Sequence, residues 1–282
     1  MKLNRREFLA TTVAAAAVPA SLSATVGDSG PIKLSVATYS LRSFPKRPEA
    51  IKMIQDLKIK FADVKDFHIP IKDGTPESWK EGGEDFRKAG IKIVACGNVD
   101  MKKPEELRRA FEYAKAIGSP TIVCAPTQEQ LKDIEKLVKE FNIKIAIHNH
   151  GPEDKFMPTP KSVLDAVDGM DPRMGLCMDI GHTARTGADP VEWIEKAGAR
   201  LHEMHFKDLK DPHNADWKVA RDSQVAVGEG VLPIADIFKQ LAKQKYKGYC
   251  SLEYEINAKD PLPGMQKSFD YMRKLITDLK LA

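Results

Sequence analysis

From residue 32 onward the chain alternates between two hydrophobic rhythms. Short runs of β-branched and other apolar residues occur at 34–38, 61–67, 91–99, 121–125, 143–148, 174–180, 201–206 and 249–254. Runs of this length, bounded by turn-forming residues, read as buried strands. Between them lie amphipathic stretches. In 129–141, Leu131, Ile134, Leu137, Val138 and Phe141 recur at steps of three and four, which gathers them on one face of a helix. Further helices are expected to start at Pro48, Pro76, Pro104, Pro160, Pro190 and Pro233. Proline suits a first turn, where its missing N–H has no intrahelical partner. A last helix fits 265–279.

Eight strand–helix units with parallel-strand patterning imply an α/β sheet, open or closed. Count and length favour closure into a single-domain (β/α)8 TIM barrel over 32–282, rather than an open doubly wound sheet. No GxGxxG follows the first strand, which weakens a dinucleotide-binding form of the open sheet. The longest irregular segment, 207–231, is of a length that in compact domains tends to serve function.

The first residues follow another pattern. Asn4-Arg5-Arg6-Glu7-Phe8-Leu9 precedes a run of small apolar residues from Ala10 to Val18. A charged start and a short, weakly hydrophobic stretch describe a secretory signal over 1–24, with cleavage after Ala20 or Ala24. The arginine pair followed by Phe-Leu resembles a twin-arginine signal, which implies a periplasmic or otherwise exported protein. The apolar run is too short to span a bilayer, and no cysteine follows it to carry a lipid. What remains after residue 24 is close to the usual barrel length of about 250 residues.

Composition narrows the partners. The formal charge is +4, half of it from Lys2, Arg5, Arg6 and Glu7, and the rest of the chain intersperses both signs. A nucleic-acid-binding surface shows a stronger basic excess, so DNA and RNA are not expected. Cys96, Cys124, Cys177 and Cys250 are far apart inside apolar runs and read as core thiols.

Chemistry collects where strands end. The fifth ends His148-Asn149-His150-Gly151, the sixth Asp179-Ile180-Gly181-His182, the seventh His205-Phe206-Lys207-Asp208, and the eighth carries Glu253 and Glu255. The carboxyl ends of barrel strands form the active-site face. Parity agrees. With Ile143, Ile145 and Ile147 toward the helices, Ala146 and His148 face the axis, and Cys177 shares inward parity with Asp179. His148, Asp179, His205 and Glu253 make a nitrogen/oxygen site for one divalent ion: Mn, Zn, Co or Fe.

These same residues carry a resemblance. Ile145-Ala146-Ile147-His148-Asn149-His150-Gly151, Met178-Asp179-Ile180-Gly181-His182, Met204-His205-Phe206-Lys207-Asp208 and Ser251-Leu252-Glu253-Tyr254-Glu255, together with Gly228-Glu229-Gly230, resemble the xylose-isomerase-like superfamily of sugar phosphate isomerases and epimerases. That superfamily also includes endonuclease IV. The resemblance implies that Asp179, His205 and Glu253 are metal ligands, that His182 touches substrate oxygens, and that the substrate is a carbohydrate. Epimerases of this kind usually present a glutamate where this chain has His148. A metal-bound imidazole has no lone pair left to act as second base, so the two-glutamate mechanism is not expected. One base and a Lewis acid suit an enediolate that collapses by isomerisation, or by the elimination or hydration that some relatives perform on 3-keto-glycosides.

Further candidates are weighed against structural roles. Glu253, His150, His68 and Lys65 are the catalytic candidates, with His68 and Lys65 also readable as loop residues at the end of the second strand. His182, Lys207 and Glu229 are the substrate-binding candidates. His202 has the wrong parity and is expected to be structural. Trp217, in the long loop, covers a sugar ring or anchors the loop. The expectation is a sugar isomerase, with a lyase next. A non-catalytic carbohydrate-binding barrel and a nuclease are the competing classes. No stable membrane span is expected, and a homo-oligomer is compatible with the sequence.

Overall fold

The computed structural model describes Gly27 and residues 30–281. The arginine-pair leader therefore lies outside the described residues. Eight parallel strands close into a barrel: β1 (Leu34–Ala37), β2 (Phe61–Val64), β3 (Lys92–Met101), β4 (Thr121–Pro126), β5 (Lys144–His148), β6 (Met174–Asp179), β7 (Leu201–Phe206) and β8 (Cys250–Leu252). Each strand neighbours the next in sequence, and β8 closes on β1 through the register Ser35 to Ser251. The expected TIM barrel is what the chain forms.

Helices α1 (Arg47–Asp56), α2 (Pro76–Lys88), α3 (Pro104–Ile117), α4 (Leu131–Phe141), α5 (Pro160–Ala166), α6 (Ile180–Arg185), α7 (Pro190–Ala197), α8 (Trp217–Asp222), α9 (Ile234–Lys243) and α10 (Leu262–Asp278) follow the strands. The proline signals lie in the first turns of α1, α2, α3, α5 and α7, while Pro233 caps α9 from outside. Thr75 and Ser78, and likewise Thr159 and Ser162, form reciprocal capping boxes that satisfy orphan N–H groups at the starts of α2 and α5. Helix α4 buries Leu131, Ile134 and Val138 and packs Leu137 and Phe141 against the core, as its spacing predicts. α10 starts at Leu262, ahead of its expected position, because Pro261 sets the preceding turn.

The main core lies between barrel and helices, where Ile145, Ile147, Leu176, Met178, Met204 and Phe206 point outward. Inside the barrel sits a separate small cluster, Ala95, Val123, Ala146 and Cys177. The parity assigned to β5 and β6 is thus the observed one. All four cysteines are free and buried. Among the described residues no helix is long and apolar enough to cross a membrane.

The excursion after β7 contains α8 and a two-residue antiparallel ribbon, Asp208–Leu209 against Gln224–Val225. Asp208 holds its base together. Its carboxylate accepts from the backbone N–H groups of Gly228, Gly230, Leu232 and Leu209 at 2.9–3.1 Å. The Gly-Glu-Gly turn is therefore folded around Asp208. Gly228 has φ +96°, a conformation that suits glycine, and a Cβ on Gly230 would lie 2.1 Å from Asp208 Oδ1.

Candidate metal centre and active site

Four side chains meet at the carboxyl-terminal mouth. Nitrogen or oxygen atoms of His148, Asp179, His205 and Glu253 all lie within 4.8 Å of one another, and all four residues are buried. His148 Nε2 stands 3.1 Å from His205 Nδ1, 3.7 Å from Asp179 Oδ2 and 4.0 Å from Glu253 Oε2. His205 Nδ1 is 3.3 Å from the same Glu253 oxygen.

Local structure aims each atom. Asp179 ends β6 and caps α6: its Oδ1 accepts from the His182 N–H at 2.7 Å, which leaves Oδ2 for the cluster. Asn149 ties the ends of β5 and β6 by accepting from the Asp179 N–H at 3.1 Å and donating to Thr183. His205 Nε2–H donates to Asp63 Oδ2 at 2.9 Å, so its Nδ1 lone pair faces the other three. A histidine backed by a carboxylate in this way is the usual arrangement behind a metal ligand. His148 has no such support, and its buried Nδ1 finds no partner.

The donor set fits a divalent cation. Asp179 Oδ2 is buried and meets no donor in hydrogen-bond geometry, its close contact being the Lys207 ammonium. Two imidazole nitrogens 3.1 Å apart require a proton or a cation between them. A positive charge is already held here: Lys207 Nζ lies 3.0 Å from both Asp179 Oδ2 and Glu253 Oε2 and also contacts Glu255. Burial disfavours the Lys207 ammonium, but the three carboxylates outweigh it and hold its pKa well above the ordinary value. Burial likewise opposes ionisation of Glu253, yet Lys207 and His205 hold it well below the usual carboxylate range. For Asp179 burial outweighs the Lys207 ammonium, the Glu253 charge adds to burial, and the carboxyl is pushed up to about 6. Gly181 lets the Lys207 stem pass, since a Cβ there would lie 2.4 Å from Lys207 Cγ.

Above the cluster opens a cavity of about 310 Å3, lined by Tyr39, Lys65, Asn98, Asp100, Lys102, Ala125, His148, His150, His182, Glu253 and Glu255. Of the sequence candidates, Lys65, His150 and His182 therefore share it with His148 and Glu253 of the tetrad. Lys65 donates to the Asn98 carbonyl and pairs with Asp66 at 3.0 Å. His182 Nδ1 accepts from Arg185 at 2.7 Å. Arginine can only donate, so the proton of a neutral His182 sits on Nε2. Burial first, and the Lys207 charge next, keep His182 neutral by lowering its pKa well below the ordinary value. His150 Nε2 accepts from the Asn98 amide at 2.8 Å, and Asp154 lies 3.3 Å from Nδ1.

Two candidates are placed elsewhere. His68 is buried outside the cavity lining, bonded through Nδ1 to Thr38 Oγ1 and through Nε2 to the Phe44 carbonyl, both at 3.0 Å. Strand β2 stops at Val64, so the chain turns before His68 can follow the strand into the mouth. Glu229 pairs with Lys267 on a different cavity, beside Tyr254 and Asn257. His202 bonds the Ile145 and Pro172 carbonyls and holds strands together. Trp217 is exposed on α8 with Arg221 over its ring. Asp63 escaped the sequence reading. Its signal was available: in Phe61-Ala62-Asp63-Val64 an acid alternates with apolar residues, which marks an inward position.

Residues 64–275 match the model of the family described as xylose isomerase-like TIM barrel. Over 160 residues the chain is 27% identical to the inosose dehydratase of Mesomycoplasma hyopneumoniae (strain 7448), covering 52% of this chain and 53% of that enzyme. The chain thus spans about half the length of that relative. A crystal structure from Parabacteroides distasonis ATCC 8503 superposes with a TM-score of 0.65 at 28% identity, over 86% of this chain and 99% of that one. IolI protein with a bound zinc atom superposes with a TM-score of 0.69 over 88% and 99% of the two chains, and at 16% identity it shows the fold alone.

Proposed function

The chain belongs to the xylose isomerase-like TIM-barrel family, and from that premise we propose that it is a metal-dependent enzyme that turns a keto-sugar into an enediolate and expels the oxygen substituent β to the carbonyl, a hydroxyl in a keto-inositol and the glycosidic oxygen in a 3-keto-glucoside. The observation that carries this reading is the tetrad itself: two imidazoles and two carboxylates converge under a polar cavity, and Glu253 is the one tetrad carboxylate that lines it. A divalent ion held by His148, Asp179, His205 and Glu253, of the Mn, Zn, Co or Fe type that such donors suit, would polarise the substrate carbonyl as a Lewis acid.

The chain's own groups divide the remaining work. Glu253, ionised at neutral pH, takes the proton next to the carbonyl. His182 presents Nε2–H to the oxygen on which negative charge develops, and the Arg185 bond keeps it a donor. Lys207, beside Asp179, Glu253 and Glu255, adds positive charge to the same wall. His150 returns a proton. With Asn98 Nδ2 donating, its Nε2 is bare; turning the amide over sets the buried, unpartnered Asn98 Oδ1 against Nε2–H, and Asp154 lies 3.3 Å from Nδ1. Delivered to the leaving oxygen, that proton completes an elimination, which is a dehydration where the leaving group is hydroxyl. Delivered to the neighbouring carbon, it completes an isomerisation.

The inosose dehydratase relative supports the first outcome, as does His148 in place of a second carboxylate base. The leader around Arg5-Arg6 supports placing this chemistry outside the cytoplasm, which cell fractionation tests. The reaction is tested by incubating metal-loaded and chelator-stripped protein with keto-inositols and 3-keto-glucosides in heavy water. An unsaturated product whose former α-carbon has lost its proton supports elimination, and deuterium beside a shifted carbonyl marks isomerisation. Absence of both from the loaded protein would sink the reading.

A further inference from the structure

A second cavity, of about 300 Å3, lies beside the first, and His182 and Glu255 line both. Lys207, which contacts Glu253 and Glu255, also lines it, so the partition between the two is made of flexible polar side chains. Its outer wall comes from the excursion after β7, through Leu209 and Arg221, and from Ile256 beyond β8. The reaction outlined above makes no use of this annex.

We propose that the annex is a binding subsite for a second, uncharged sugar ring, so that the substrate is a glycoside whose reacting ring occupies the metal cavity. The inference rests on the enediolate reading and specifies its substrate. Each cavity lies near the lower end of the usual range for ligand pockets, about 300–1000 Å3, and their shared wall sets them in series. The annex is lined by the donor-bearing side chains of Arg185, Arg221 and Gln224, and Arg185 Nε–H is buried without a partner. Guanidinium and amide N–H groups call for oxygen atoms, and Asp222 and Glu255 in the same lining accept from hydroxyls. Charge decides which oxygen. Arg185 is paired with Glu153, Arg221 with Asp222 at 2.7 Å, and Lys207 with three carboxylates. Every cation is already balanced, so hydroxyl groups fit better than a carboxylate or phosphate. Leu209 and Ile256 supply the apolar contact that the C–H face of a sugar ring needs.

The test is calorimetric binding of glucose, of the β-1,4 and α-1,4 glucose disaccharides, and of a glucuronic-acid-bearing disaccharide to metal-loaded protein. At least one neutral disaccharide is expected to bind about tenfold or more tightly than glucose. Ile256→Trp, which fills the annex, is expected to bring it within twofold of glucose while glucose affinity and metal content stay unchanged. Arg221→Ala, on an exposed helix, is the second variant and should reduce the advantage about threefold. Equal binding of glucose and both neutral disaccharides, an advantage intact in both variants, or a uronate binding tenfold better than its neutral counterpart would each overturn the proposal. A disaccharide advantage without α-proton exchange would overturn the enediolate reading alone. Exchange on a single-ring ketose with no disaccharide advantage would overturn the annex alone.

Discussion

The interior of the barrel is built from two unlike halves. Along the contiguous strands β3 to β6 the inward residues are Ala95, Val123, Ala146 and Cys177, all fully buried and packed on one another. Along β7, β8, β1 and β2 they are Glu203, Ser251, Ser35 and Asp63, buried to the same degree. Ser251 donates to Glu203 at 2.7 Å and Asp63 accepts from His205. The difference reaches the mouth. His205 rises from the polar half and is backed by a hydrogen bond to Asp63; His148 rises from the apolar half, meets His205 through Nε2, and has only packing behind its ring, with Nδ1 unpartnered. Two equivalent-looking ligands are thus held by different physics, one directional and one steric.

The largest break in this comparison is at the polar mouth. Glu253→Gln should lower kcat/KM about 10^2–10^4-fold with metal content reduced or retained, measured by α-proton exchange. Next is pH. Burial pushes Glu203 up to about 8, whereas an unfolded glutamate ionises near pH 4.3. Between those values the folded chain binds more protons, so stability should fall as pH rises from about 4 to 8, then level off, by up to about 5 kcal/mol. Glu203→Gln should flatten that slope in urea unfolding, and an unchanged slope would remove Glu203 as its source. Asp63→Ala should weaken metal binding about 10–100-fold in chelator competition, because His205 loses its backing. The smallest effects sharpen the contrast. Val123→Ala should cost about 2 kcal/mol through lost packing. Ser35→Ala, removing a buried hydroxyl that has no partner, should stay within about 0.5 kcal/mol or stabilise.

Much of this was legible from residue order. The two rhythms predict eight units, the prolines mark helix starts, and parity on β5 and β6 aims His148 and Asp179 at the axis. The polar half was harder to read. Asp63 and Glu203 are single acids in short strands, and their partners His205 and Ser251 lie far off in sequence, so nothing local separates a buried carboxylate from a solvated one. His68 and Glu229 show the opposite failing. Each sits in a motif near a strand end or before a helix, yet a turn after Val64 carries the first away, and the Asp208-bound turn points the second toward Lys267. Arg185 was hidden because the short helix α6, which follows Asp179 directly, has too few residues to display a periodic face.

Asp208 has a consequence for how this barrel can change. By gathering four backbone N–H groups beside the two-residue ribbon, it works as a clasp at the neck of the excursion. Everything between Lys210 and Ser223, whose backbone groups bond across that neck, hangs beyond it. Doubling the length of a flexible loop costs only about 0.6 kcal/mol once its ends are held. The segment is therefore a cassette: it can be lengthened, shortened or exchanged without moving His205 or Lys207, so the outer reach of the pocket can drift while the chemistry beneath it stays in place.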